Sequence, residues 1–392
     1  MGMRLSSSAL AFGLALLFLA ATDRVERKAF VKRGDHFGEG RLEEVGGVRV
    51  LHLSGRPFEL GFQQGALLKE ELAKLSRENW TYARGHAEQF LGWPGWLGRP
   101  LLKPILVLRA RQLARGMDRD PREELRGLAQ GSGLGFSDLL ARNFIFGLAN
   151  LHDGVQFALG PPASQAKELW HGFRGALGEA DQSYPADYQA VIFYHPEGKL
   201  KFVSVGLIGS SGIITGLNEA GISISRAGDR PEPERSPAAP VAESARQALE
   251  QARTLDQAVR MLKGHAPEQS GAVLIGSRAE GKALLLQNSG NESAVREMKD
   301  GVVGSGECWP GAWKGQPAGS VKLEDMIALA GTECAAEGHV GRLGVVYEPA
   351  GNRVWIALGR SAAGLERWVE VDFASETLRE PAAFPGNLNS NQ

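Results

Sequence analysis

Residues 188–225 constrain what this chain can fold into more than any other stretch. "YQAVIFYHPEGKLKFVSVG" (188–206) sets β-branched and aromatic residues on either side of His-Pro-Glu-Gly, and reads as two strands joined by a turn. "GIITGLNEAGISIS" (212–225) reads as a second hairpin, turning at Asn218-Glu219-Ala220-Gly221. Two hairpins in succession call for an antiparallel sheet with at least one face covered. Other segments supply strands: "VGGVRVLHLSG" (45–55), "GAVLIGS", "KALLLQN", "SAVREM", "LGVVYEP", "NRVWIAL" and "ERWVEVDF". "HDGVQFALG" (152–160) pairs an Asp-Gly turn with an apolar run that fits a further strand.

Helical signals concentrate earlier. In "RPFELGFQQGALLKEELAKL" (56–75), Leu60, Leu67, Leu68, Leu72 and Leu75 recur at helical spacing, with Pro57 near the start. Residues 80–150 read as mostly helical, and "RPLLKPILVLRARQLARGM" within them reads as a packed helix with a solvated Arg/Lys face. "VAESARQALEQARTLDQAVRMLKG" divides where Thr254 and Gln257 fit a capping box. Helices first, then mostly antiparallel strands around one helical pair, indicate a single α+β domain over residues 41–378. Residues 379–392 read as a loose tail.

The N-terminus carries a different message. One Arg in "MGMRLSSS" precedes 13 uncharged residues, "ALAFGLALLFLAA". This is the pattern of a secretory signal peptide, and the run is shorter than the roughly 20 residues of a membrane span. Residues 1–28 therefore read as a signal peptide or an uncleaved N-terminal anchor, followed by a linker over 29–40. The expected location is outside the cytoplasm or at a membrane held by that segment alone. Lys+Arg 44 against Asp+Glu 45 gives a formal charge of −1, which argues against a nucleic-acid partner. No histidine or cysteine cluster has metal-ligand spacing, so neither a metal nor another cofactor is expected.

Several segments, in this order, resemble the isopenicillin-N acyltransferase family, also described as acyl-coenzyme A:6-aminopenicillanic-acid acyltransferase-like. They are "VRVLHLSGRPFELGFQQGALLKEEL", "EELRGLAQGSGLGFSDLLARN", "AVIFYHPEGKLKFVSVGLIGSSGIITGLNEAGISIS" and "LGVVYEPAGNRVWIALG". The resemblance implies an N-terminal-nucleophile hydrolase-like αββα sandwich, two antiparallel sheets between helical layers. It also implies amide hydrolysis or acyl transfer, with a small amide or acyl compound as ligand. Members cut their own backbone before a cysteine, whose new α-amine activates its thiol. Only Cys, Ser or Thr has the side-chain atom that such a cut requires.

Matching Phe157-Ala158 to the family's Phe-Ala pair puts the nucleophile position at Gly154 or Val155. Neither bears a nucleophilic atom. Where the family has His-Gly-Arg-Asn and then an Asp-aromatic pair, this chain has "WHGFRGALG": His171 and Gly172 remain, Arg174 is displaced by one residue, and Asn and Asp are missing. "GVVGSGECW" (301–309) lacks the family's Thr-Asn-His. No catalytic residue is assigned, and the chain reads as a degenerate, non-catalytic relative.

Candidate pocket residues are His171, Arg174 and Asn218. His171 and Arg174 read either as a residual ligand pocket or as surface-loop residues. Asn218 reads as an oxyanion donor or as a turn residue. The alternative function is an active hydrolase or acyltransferase with a relocated nucleophile, Ser164 or Cys308. Cys308 also fits a packed thiol or a disulfide with Cys334, as an exported protein allows.

Overall fold

A computed structural model describes residues 40–45, 48–149, 154–175, 188–227, 239–263, 271–289, 292–306, 319–331, 343–358 and 368–379. The N-terminal segment 1–28, linker residues 29–39, tail residues 380–392, Cys308 and Cys334 lie outside them, and Arg379, expected in the tail, ends a strand. None of the described helices is long and apolar enough to cross a membrane.

The chain opens with the hairpin β1 (Arg41–Val45) and β2 (Val48–Gly55). Helices α1 (Pro57–Leu67), α2 (Lys69–Gly85), α3 (Ala87–Leu91), α4 (Gly95–Leu113), α5 (Arg119–Ser132) and α6 (Phe136–Ala149) follow. Strands β3 (Gly154–Leu159), β4 (Trp170–Gly175), β5 (Gln189–Pro196), β6 (Phe202–Leu207), β7 (Thr215–Asn218) and β8 (Ile222–Ala227) come next. The two expected hairpins are β5–β6 and β7–β8. Helices α7 (Ala239–Gln251) and α8 (Leu255–Lys263) separate where the capping box lies: Thr254 Oγ1 accepts from the Gln257 amide at 3.3 Å, and Gln257 Oε1 from the Arg253 amide at 2.8 Å. The remainder is β9 (Gly271–Ser277), β10 (Lys282–Ser289), β11 (Glu292–Glu297), β12 (Val302–Ser305), α9 (Leu323–Gly331), β13 (Leu343–Glu348), β14 (Arg353–Leu358), β15 (Trp368–Asp372) and β16 (Thr377–Arg379).

These strands form two sheets, ordered β1-β2-β5-β6-β7-β8-β9-β10-β11 and β12-β3-β4-β13-β14-β15-β16. Neighbours are antiparallel except β2 and β5, which run parallel. That exception has a topological cause. A parallel pair needs a long crossover, and six helices plus β3 and β4 intervene. The sheets pack face to face, β3 against β8 and β9. Helices α1, α7 and α8 cover the outer face of the first sheet, and α9 lies on β4 and β13 of the second. The result is the expected α+β sandwich between helical layers.

One detail of the first helical layer is written in glycine. The stretches "GFQQG" in α1 and "GLAQG" in α5 place glycines four residues apart. A methyl group at Gly61 would lie 1.9 Å from the Glu124 carbonyl oxygen, and one at Gly127 would lie 1.9 Å from that of Phe58. The two backbones are in direct contact, which no larger residue permits. Beside this crossing sits a buried ionic cluster. Arg246 of α7 grips Glu124 through two nitrogens at 2.8 and 2.7 Å and Glu250 at 2.9 Å, with its guanidinium 4.5 Å from the Tyr194 ring centre.

Candidate functional site

The hairpin β3–β4 carries the positions at which the family's chemistry would be sought. Strand geometry sends alternate side chains to opposite faces. Gly154, Gln156 and Ala158 share one face of β3, with Gly175, Phe173 and His171 opposite them on β4. A methyl group at Gly154 would meet the Ala227 methyl of the first sheet at 3.1 Å, so this face looks into the space between the sheets. Val155 points the other way, toward the cluster of Phe157, Trp170 and α9 residues Met326 and Ile327. Of the two candidate nucleophile positions, Gly154 alone looks between the sheets.

That inter-sheet space is crossed by a chain of hydrogen bonds. His171 Nδ1 is 2.8 Å from Ser223 Oγ, and Nε2 is 2.7 Å from Ser225 Oγ. Ser225 donates to Gln156 Oε1 at 2.9 Å, and Gln156 Nε2 donates to Ser305 Oγ at 3.0 Å. The Leu274 amide also donates to Gln156 Oε1, at 3.3 Å, which fixes the orientation of the side-chain amide. The proton directions around His171 follow. Ser225 spends its proton on Gln156, so it accepts from His171 Nε2–H. The neutral imidazole then accepts at Nδ1 from Ser223. Alongside, Tyr347 donates to Thr215 Oγ1 at 2.8 Å, and Thr215 donates to the Ile224 carbonyl at 3.0 Å.

Burial sets the electrostatics. Gln156, His171, Ser223, Ser225 and Thr215 are fully enclosed. Removal from water pushes His171 down to about 3, so the ring is uncharged at neutral pH. The same cause raises the Tyr347 hydroxyl. Each imidazole nitrogen already has a partner, and the ring lies edge-on to Tyr347 at 5.5 Å between centres. The described part of the seam is a satisfied polar layer inside an apolar sandwich.

The structure does not bring His171, Arg174 and Asn218 together. Both His171 and Arg174 lie on a fully buried strand, β4, and not in a surface loop. They are three residues apart and so face opposite sides, with Arg174 beside Val155. Asn218 is buried at the end of β7. Its amide donates to the carbonyls of Leu249 and Ala252 at 3.0 and 2.8 Å, and its oxygen accepts from the Ile222 amide at 2.9 Å. Both donors thus hold the end of α7 to the β7–β8 turn. Ser164 is buried, and its hydroxyl donates to the Glu168 carbonyl at 2.7 Å. Gln156, Ser223, Ser225 and Tyr347 were not singled out from sequence. The "ISIS" alternation of β8 was the available signal, because it puts both serines on one face.

The sequence model of the family "Acyl-coenzyme A:6-aminopenicillanic acid acyl-transferase" matches residues 180–305. The match spans β5 to β12 and begins beyond β3 and β4. An uncharacterized protein of Archaeoglobus fulgidus is 25% identical over 328 residues, 73% of this chain and 51% of that protein. The chain thus spans about half the length of this curated relative. Among solved structures, the Caenorhabditis elegans ortholog of N-acylethanolamine-hydrolyzing acid amidase is 13% identical, with 50% of this chain and 93% of that one covered and a TM-score of 0.39. A mutant of the conjugated bile acid hydrolase of Clostridium perfringens gives 11%, 59%, 97% and 0.40 in the same order. Penicillin V acylase of Agrobacterium tumefaciens gives 13%, 59%, 98% and 0.34. The family model thus covers about a third of the chain, residues 180–305, and it describes the family that the chain's motifs resemble.

Proposed function

We propose that this chain is a non-catalytic relative of the acyltransferases and amidohydrolases of its family, exported or anchored through residues 1–28. The observation that carries the reading is the inward face of β3. Self-cleavage by the family's route needs a thiol or hydroxyl there, to attack the preceding carbonyl carbon and release an α-amine. That face presents Gly154, Gln156 and Ala158. Val155 carries no heteroatom and is packed toward α9. The neighbouring polar groups support the same reading. A general base must be able to accept a proton from a group that reacts, near the working pH. His171 is held far below that range, and both its nitrogens are occupied. Ser223 is within hydrogen-bond reach of this imidazole, yet it is fully enclosed, and a methyl group at Gly276 would already lie 2.5 Å from its oxygen.

The test is turnover. The full chain is incubated with fluorogenic amides bearing phenylacetyl and long-chain acyl groups, and amine release is followed. The expected result is no release above that of the His171→Leu variant. Release that disappears in Ser164→Ala or Cys308→Ala would overturn the proposal in favour of a relocated nucleophile.

A further inference from the structure

Helix α4 departs from the pattern of an ordinary surface helix. Its buried row is regular: Gly98, Leu102, Leu106, Ala110 and Ala114 follow one another at intervals of four and are enclosed. The opposite side of such a helix is normally polar. Here it is apolar. Trp96 is 80% exposed, Trp93 in the preceding turn 41%, Leu97 39% and Leu108 46%. These are four of the five large apolar side chains exposed among the described residues. They lie on one short segment, and Leu101, Pro104 and Ile105 between them are only half-buried. The solvated Arg/Lys face expected from the sequence is therefore interleaved with tryptophan and leucine.

Charge says what covers it. Between Glu88 and Asp118 there is no acidic residue, whereas Arg99, Lys103, Arg109, Arg111 and Arg115 fall in that interval. The whole chain carries a net charge of −1, so this positive charge is local. Among the described residues, Lys103 pairs with Asp138 at 2.8 Å, and Arg111 donates to Ser137 at 2.8 Å. Arg99, Arg109 and Arg115 are exposed. Tryptophan has an apolar body and a polar N–H, which suits the boundary between headgroups and acyl chains. Exposed indoles beside leucines, edged by arginines, form the chemistry of a helix lying in a lipid interface. A second copy would bring positive charge against positive charge.

We propose that the Trp93–Arg115 face docks on an anionic phospholipid surface, independently of the N-terminal segment. The tryptophans enter the interface and the arginines contact lipid phosphates. Exposed positions also permit clean tests, because truncating them removes no core packing.

The experiment uses the full chain with vesicles of phosphatidylglycerol and phosphatidylcholine, some carrying acyl-chain bromine as a contact quencher of indole fluorescence. Residues 1–39 contain no tryptophan, so an embedded N-terminus cannot produce the signal. The expected result is quenching by brominated anionic vesicles that is lost in Trp93→Ala/Trp96→Ala. Arg99→Glu/Arg109→Glu should weaken it at least about tenfold, and pure phosphatidylcholine vesicles should give little. Quenching that survives loss of both tryptophans would overturn the proposal. So would unquenched protein forming a concentration-dependent dimer that Trp96→Ala dissolves, which would make a second copy the occupant.

Discussion

His171 and Arg246 are both enclosed polar side chains near the first sheet, and their surroundings differ in kind. His171 has two serine hydroxyls as hydrogen-bond partners and is driven neutral. Arg246 is also buried, yet burial is outweighed by Glu124 and Glu250, which hold its guanidinium charged. Lys199 extends that cluster to Asp120 at 2.9 Å and to Glu250. The seam between the sheets therefore manages burial by giving up charge, and the helical layer manages it by pairing charge. A site built for acyl chemistry would do neither at His171, because it needs a group that can gain and lose a proton. The Arg246 cluster ties α5 and α7 to the first sheet and reads as architecture. The His171 seam occupies the place where chemistry is expected, and under the proposed function it is architecture as well.

The largest effect should come from breaking the charged cluster. Arg246→Ala leaves Glu124 buried without its countercharge and Glu250 with Lys199 alone, and should cost about 3–5 kcal/mol in denaturant unfolding. A loss below about 1 kcal/mol would mean that the cluster is hydrated and that the contrast with His171 is false. The neutral seam should yield less. His171→Leu strands the hydroxyl proton of Ser223 and takes the donor from Ser225, at a cost of about 2–3 kcal/mol.

Acid sharpens the distinction further. His171 is neutral in the folded chain down to about pH 3, whereas an unfolded histidine takes up a proton below roughly 6.5. The unfolded state binds more protons across that window, so stability falls as pH drops from about 6.5 toward 3. At pH 5 the loss should be on the order of 2 kcal/mol, and His171→Leu should flatten it. A second contribution begins lower. Burial raises Glu376, but hydrogen bonds from His195 at 2.6 Å and His52 at 2.9 Å outweigh it and hold the carboxyl at about 2. Its share is present above about pH 4.5 and is lost as pH falls toward 2. After allowance for solvent screening it is about 1 kcal/mol, and Glu376→Gln should remove it. Unfolding midpoints at pH 7, 5 and 3.5 separate the two. An acid slope above pH 5 that is unchanged in His171→Leu would contradict a neutral buried imidazole.

A modest effect is expected at the nucleophile position. Gly154→Cys restores a thiol against the Ala227 methyl and the Arg174 carbonyl, at 3.1 and 3.3 Å from the new Cβ. Small shifts accommodate it, at about 1–2 kcal/mol. The variant should remain a single chain, because His171 is committed and the downstream Asn and Asp are absent.

How much was legible in the sequence depends on what held each element. The β5–β6 and β7–β8 hairpins were legible because their turns are chemically marked and their strands are rich in β-branched residues. The α7–α8 break was legible because a capping box is a local device. Strand β4 was not. In "WHGFRG" a histidine and an arginine fall on opposite faces and both are buried, so no polar-apolar alternation betrays a strand. Strand β12 was hidden by its glycine and its four-residue length. The seam itself could not be read, since its side chains come from the β3–β4 hairpin and from β8 and β12, which are distant in sequence. Asn218 shows the converse. Its place in a turn was legible, but the two helix carbonyls that occupy its amide belong to α7 and the residue after it.

The most direct test of the central claim is the intact mass of the chain purified from the host that expresses it, with N-terminal sequencing. A single polypeptide continuous through Asp153 and Gly154, trimmed at most within residues 1–39, is expected. Two fragments, the second beginning at a residue between Gly154 and Ser164, would contradict it.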